Sequence, residues 1–189
     1  VAAARGCIAF VDRGDADTSA KLLGQEGKAA SLYWRAWQGL NMKWRTSKRY
    51  PIPDAWREFK SRSSINNGNK TINRNADHPI NAMLNYAYAA LMTKMRIQAI
   101  ADGYDPMIGI LHDQRERSKE LTPSFALDLM EPHRPVVDRA VLKLIREETF
   151  SGADFDLQSD GVVRVGPGLS TRLSAVANST DLQNREMVG

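Results

Sequence analysis

The stretch "SFALDLMEPHRP", Ser124 to Pro135, is apolar in its first half yet carries Asp128 and Glu131 three residues apart. On a helix, positions i and i+3 share a face, so both carboxylates can aim at one point. Two like charges brought together away from water cost energy unless a positive charge stands between them. A divalent cation meets that need, and carboxylate oxygens suit Mg2+ or Mn2+. Two more residues sit in surroundings ill-matched to their polarity. His112 follows the apolar pair Ile110–Leu111, and Glu26 heads an apolar stripe. An imidazole ligand shifts the preference toward Mn2+ or another first-row metal. A plainer reading uses the same residues. Asp128 pairs with Arg134 or Arg139, Glu131 is a helix-end surface residue, and His112 is a hydrogen-bonded structural histidine. Spacing alone leaves both readings open.

The elements that must position these groups are mostly helical. In "GQEGKAASLYWRAWQGL" the apolar residues Ala29, Leu32, Tyr33, Ala36, Trp37 and Leu40 recur at helical spacing. They predict an amphipathic helix ending near Gly39, with Glu26 on the same inward face. "DHPINAMLNYAYAALMTKMRIQAIADG" predicts a central buried helix that starts at Pro79, is capped by Asp77 or His78, and stops at Gly103. "YDPMIGILH" reads as a turn or extended piece that delivers His112. Thr122 and Pro123 open the helix bearing Asp128 and Glu131, and Pro132 and Pro135 should kink or break it. "VVDRAVLKLIREETF" resumes with Val137, Val141, Leu144 and Ile145 on one face. A small β hairpin is expected near residues 155–166, turning at Asp160–Gly161. A short helix and a tail over 170–189 complete the chain. The fold class is therefore mainly α, a single helical-bundle-like domain over residues 1–189.

Residues 41–77 break this regularity and read as a loop or insertion, docked through Trp44, Tyr50, Trp56 and Phe59. From Lys43 to Arg74 the segment holds nine basic and two acidic side chains, a charge of +7 against −3 for the remainder of a chain whose total is +4. One basic segment on a mildly acidic body suits a polyanion-binding arm, although a solvated loop has the same composition. A single cysteine, Cys7, excludes an internal disulfide and favours an intracellular, cytoplasmic setting. No apolar run approaches the roughly 20 residues a membrane span needs, so no membrane partner is expected.

Four pieces in order are similar to the DNA endonuclease and integrase of CRISPR adaptation known as Cas one, specifically to its helical C-terminal catalytic domain. "LLGQEGKAASLYW" resembles the family's Gly-x-Glu-Gly helix start, and "HPINAMLNYAYAAL" its central Asn-containing helix. "GYDPMIGILH" resembles the histidine segment, "SFALDLMEPHRPVVDRAV" the Asp-x-x-acid helix, and "DGVVRV" is a weaker match. The resemblance implies metal-dependent phosphoryl transfer on DNA, by which new spacers are inserted into a CRISPR array in antiviral defence. It places the catalytic and metal-binding roles on Glu26, His112 and Asp128, with Glu131 as a further metal-site acid, and Mg2+ or Mn2+ as the cofactor. It implies double-stranded or branched DNA, a homodimer, and the second adaptation protein, Cas two, as partners. Arg45, Lys48, Arg49, Arg57, Arg62, Arg115 and Arg117 are the DNA-binding candidates. The family's N-terminal β domain, which mediates dimerisation, is expected to be absent from this chain. The alternative expectation is thus a catalytically weak or inactive DNA-binding fragment.

Overall fold

In the computed structural model, residues 19–45, 47–62, 75–109 and 123–178 are described. Among the described residues, five helices carry the fold: α1 (Ser19–Arg35), α2 (Pro79–Ala101), α3 (Ser124–Met130), α4 (Arg134–Glu147) and α5 (Pro167–Asn178). Four three-residue strands accompany them: β1 (Lys43–Arg45), β2 (Thr149–Ser151), β3 (Phe155–Leu157) and β4 (Val163–Val165). The fold is mainly α, as composition and periodicity imply. No described helix is long and apolar enough to cross a membrane.

Helix α2 is the axis on which α3, α4, α5 and β4 pack. Its first six residues, Pro79 to Leu84, are all buried, and burial then narrows to Ala87, Leu91, Met95 and Ala99. That four-residue spacing is the stripe one helix presents to its neighbours once it is no longer enclosed on every side. The facing helices answer with matching stripes: Val137, Val141 and Ile145 on α4, and Leu169, Leu173 and Ala177 on α5. Each fully buried aliphatic side chain contributes on the order of 1.5–3 kcal/mol relative to exposure. Helix α2 ends where expected, at a turn in which Gly103 adopts φ +81, the left-handed conformation that favours glycine.

Within the described part of the insertion expected at 41–77, a 3-10 turn covers Asp54–Trp56, and β1 pairs in parallel with β2, Trp44 opposite Phe150. Trp44 also stacks on Trp56 at 6.0 Å and meets Phe155 at 5.9 Å. Gly152 follows β2 because a Cβ there would lie 2.8 Å from the Tyr50 carbonyl oxygen. Of the four expected aromatic anchors, Trp56 and Phe59 are buried and Trp44 is half-buried, whereas Tyr50 is exposed. The short helix expected at the start of the tail is present. Residues 170–178 are part of the packed helix α5, since Leu173 and Ala177 continue the buried stripe begun at Leu169. The hairpin lies where the sequence places it, β3 antiparallel to β4 with Phe155 opposite Val165.

His78, not Asp77, caps α2: its Nδ1 accepts from the Ile80 N–H at 3.1 Å. Burial lowers the His78 pKa from 6.5 to about 4. A proton on the ring would have to enter the core and would compete with the capping bond. The neutral form is favoured in the fold, so the contribution is complete above pH 6.5 and is lost as pH falls toward 4. His78→Asn keeps a capping oxygen and cannot titrate. The wild type should lose about 3 kcal/mol more stability than His78→Asn between pH 6.5 and 4, read from denaturant melts. Equal slopes for the two proteins would refute the assignment.

Candidate functional site

The carboxylate pair lies at a break between two helices. Helix α3 has seven residues, a 3-10 turn covers Glu131–His133, and α4 begins at Arg134. Pro132 and Pro135 lack N–H groups and crowd the preceding turn, so a continuous α-helix cannot pass through them. The start of α3 is held from outside: Phe125 and Ala126 donate backbone N–H groups to the Pro106 carbonyl at 3.0 and 3.3 Å. This satisfies donors that a helix start leaves open. It also ties the segment leading toward His112 to the helix of Asp128. Asp128 and Glu131 are both half-buried. Arg134 Nη1 lies 3.1 Å from Glu131 Oε1. Arg134, one of the two arginines foreseen as partners for Asp128, bonds Glu131, and Asp128 has contacts of its own.

Glu26 lies on α1 and is exposed, not on a buried face. Helix α1 itself ends at Arg35, with tighter turns running to Gly39. Ala36, Trp37 and Leu40 therefore fall beyond the helix, and of the foreseen stripe only Trp37 is buried. His112, Arg115 and Arg117 lie outside the described residues, as does Thr122. Among the described residues, no three histidine, cysteine or acidic side chains converge as a metal-ion site.

The best-defined polar cluster is one that the sequence reading passed over. Asn81, Asn85 and Tyr88, at i, i+4 and i+7, form a polar seam along α2. Arg62 donates to Asn81 Oδ1 at 3.2 Å and to Asn85 Oδ1 at 2.6 Å. Its guanidinium also lies over the rings of Trp34, at 5.5 Å, and Tyr88, at 5.9 Å. Asp138 of α4 is buried, 4% exposed, and its carboxylate accepts from the Tyr33 hydroxyl at 2.8 Å and from the Tyr88 hydroxyl. Burial pushes the Asp138 pKa up, and the two hydroxyls, Arg62 and Arg134 pull it back. Burial and the Asp138 charge push both tyrosines above their ordinary range. Arg134 lies over Tyr88 at 5.4 Å, so the seam and Glu131 share one guanidinium. The signal was legible: three polar residues at helical spacing in the largely apolar first half of a helix, and an aspartate beside the Val137–Val141 stripe.

The basic segment divides by environment. Arg45, Lys48, Arg49 and Arg57 are exposed. Arg49 lies over Tyr50 at 5.4 Å, and Arg57 pairs with Asp54 at 2.9 Å. An open cavity of about 410 Å³ lies among them, lined by Trp44, Ser47, Lys48, Pro51, Ile52 and Arg57. Arg62 differs: its guanidinium faces the seam, which makes it a tie between this segment and α2.

The profile of the family described as CRISPR associated protein Cas1 matches residues 6–176. A CRISPR-associated endonuclease Cas1 of Rhodospirillum rubrum is 35% identical over 78% of this chain and 37% of its own length. One from Archaeoglobus fulgidus is 40% identical over 66% of this chain and 31% of its own. The chain thus spans about a third of these curated relatives. Among solved structures, a casposase bound to integration product superposes with a TM-score of 0.64 and 26% identity, over 86% of this chain and 42% of that one.

With Arg62 as a structural tie, Arg62→Ala should cost about 2 kcal/mol, because it removes two hydrogen bonds to side-chain amides and a cation from two rings. Arg62→Lys keeps the charge but lacks the planar fork, so it should recover less than half of the loss. Denaturant unfolding of both variants checks this, and full recovery by lysine would reduce Arg62 to a point charge.

Proposed function

The chain belongs to the CRISPR associated protein Cas1 family, and on that premise we propose that it is the DNA-processing helical domain of a CRISPR adaptation endonuclease and integrase. One observation carries the reading beyond family membership. Asp128 and Glu131, both half-buried, flank a proline-enforced helix break, and the Arg134 guanidinium already beside Glu131 marks the break as a place where carboxylate charge is met by a cation. In this reading Glu26, His112 and Asp128 hold Mg2+ or Mn2+, and a donor set of carboxylates and one imidazole fits either ion. Glu131 joins directly or through water, because Arg134 already bonds one of its oxygens. When bound, the ion polarises a scissile phosphate and stabilises charge developing on it during in-line attack by water or a DNA 3′-hydroxyl.

The chain's own groups have separate tasks in that reaction. Arg134 holds Glu131 in place. Arg45, Lys48, Arg49 and Arg57 offer an exposed phosphate-contacting surface, with Arg115 and Arg117 as further candidates. Such contacts fix where a duplex lies without reading its sequence. The substrate is double-stranded or branched DNA, and the working assembly is a homodimer with the second adaptation protein, acting in the cytoplasm. A second reading, a DNA-binding domain with weak or no catalysis of its own, draws on the exposure of Glu26.

Incubation with branched DNA and Mn2+ separates the two. Cleavage or strand transfer that falls at least about 100-fold in His112→Ala and in Asp128→Ala supports the metal-dependent enzyme. Activity that survives either substitution or chelation refutes it, and binding without cleavage by the wild type selects the second reading. For the basic surface, the Lys48→Ala/Arg49→Ala double variant should bind DNA with a log–log salt slope shallower by about 2. An unchanged slope would remove both residues from the footprint.

A further inference from the structure

Helix α1 presents Glu26 but is poorly held along its length. Among its described side chains none is buried, and the first buried residue in this region is Trp37, just past its end. A long-range tether lies in its last turn. There the Tyr33 hydroxyl bonds buried Asp138 of α4, and Trp34 packs under the Arg62 guanidinium. Glu26 and Tyr33 are seven residues apart, two helical turns, and so share a face. Seven residues likewise separate Glu131 from Asp138.

We propose that the Tyr33–Asp138 hydrogen bond is a clasp that positions Glu26 relative to the helix pair bearing Asp128 and Glu131. The inference rests on the metal-site reading for its link to function, but the clasp itself rests on geometry alone. Two turns of helix span about 10.5 Å. A helix pivoting about 10° at a loosened clasp would therefore carry Glu26 about 2 Å, against the roughly 0.5 Å that a functional constellation tolerates. Tyr33 and Asp138 are positioning residues: they act through the helix and touch neither metal nor substrate.

Spin labels at Lys28→Cys on α1 and Lys143→Cys on α4, both exposed positions, report the clasp directly in a Cys7→Ser background without metal. The distance distribution should be narrow with Tyr33 intact and clearly broader in Tyr33→Phe, which removes one hydroxyl and keeps the ring. Tyr88→Phe removes the other hydroxyl from the same carboxylate but leaves α1 attached, so it should stay narrow. Asp138→Asn, which keeps an acceptor without the charge, should broaden to an intermediate degree and stands in if Tyr33→Phe fails to fold. Mn2+ affinity of the unlabelled full chain, measured by calorimetry, should fall at least about tenfold in Tyr33→Phe and less in Tyr88→Phe. A distribution unchanged in both Tyr33→Phe and Asp138→Asn overturns the clasp. Broadening without loss of Mn2+ affinity overturns its role at the site. A wild type that binds no Mn2+ counts against the metal-site reading, and the label distances then judge the clasp by themselves.

Discussion

A helix enclosed on every side must pair whatever polar groups it carries, and that requirement organises this protein. Helix α2 enters the core with six consecutive buried residues, among them Asn81. An unpaired buried amide or hydroxyl costs about 1–3 kcal/mol, comparable to an aliphatic side chain lost from burial. The seam of Asn81, Asn85 and Tyr88 therefore draws partners from three other segments: Arg62 from the basic stretch, Asp138 from α4, and through Asp138 the Tyr33 of α1. Apolar stripes on α4 and α5 would pack against α2 in more than one register. A carboxylate that must receive two particular hydroxyls allows far fewer arrangements, which is the sense in which buried polar networks specify a core.

The same network sets how the basic surface is mounted. Arg62 closes the described part of that stretch, and its cation–aromatic and amide contacts fasten the stretch to α2 at one end. The β1–β2 pairing and the Trp44–Trp56–Phe155 cluster fasten it at the other. Lys48 and Arg49, exposed between these moorings, are carried on a braced loop. Bracing reduces the conformational freedom lost when a polyanion binds, so more of the Coulombic attraction appears as affinity.

The sequence disclosed the elements whose cause is local. Pro79 after His78, Gly103 after α2, the prolines at 132 and 135 and the Asp160–Gly161 turn each act through backbone geometry within a few residues, and each boundary lies where those rules put it. The β1–β2 pair escaped because three-residue strands over 100 positions apart carry no periodicity to detect. Glu26 was assigned to an inward face because Ala29, Leu32 and Tyr33 fit a helical stripe. Helical spacing identifies a face without saying whether anything covers it, and Tyr33 is 42% exposed. Composition records charge and not burial, so it does not distinguish half-buried Arg62 from its exposed basic neighbours. The carboxylate pair was the reverse case: polarity in the wrong setting at i, i+3 needs no long-range information to be noticed.

Arg134 connects these two kinds of information. It is the first residue of α4, so the proline break fixes where its backbone begins. Its guanidinium lies over Tyr88 in the seam and bonds Glu131 at the break. A lysine there could supply the charge but not a planar group able to stack on a ring and donate in its own plane at once. The position of Glu131 is thereby referred to the seam through one planar guanidinium. Since Asp138 belongs to the same helix as Arg134 and also receives Tyr33, the seam holds both sides of the candidate site: Glu131 through Arg134, and the helix of Glu26 through Tyr33. A carboxylate carried on an exposed helix gains most from such a common reference, because α1 buries none of its described side chains, whereas Ala126, Met130 and Val137 anchor the helices that flank the break.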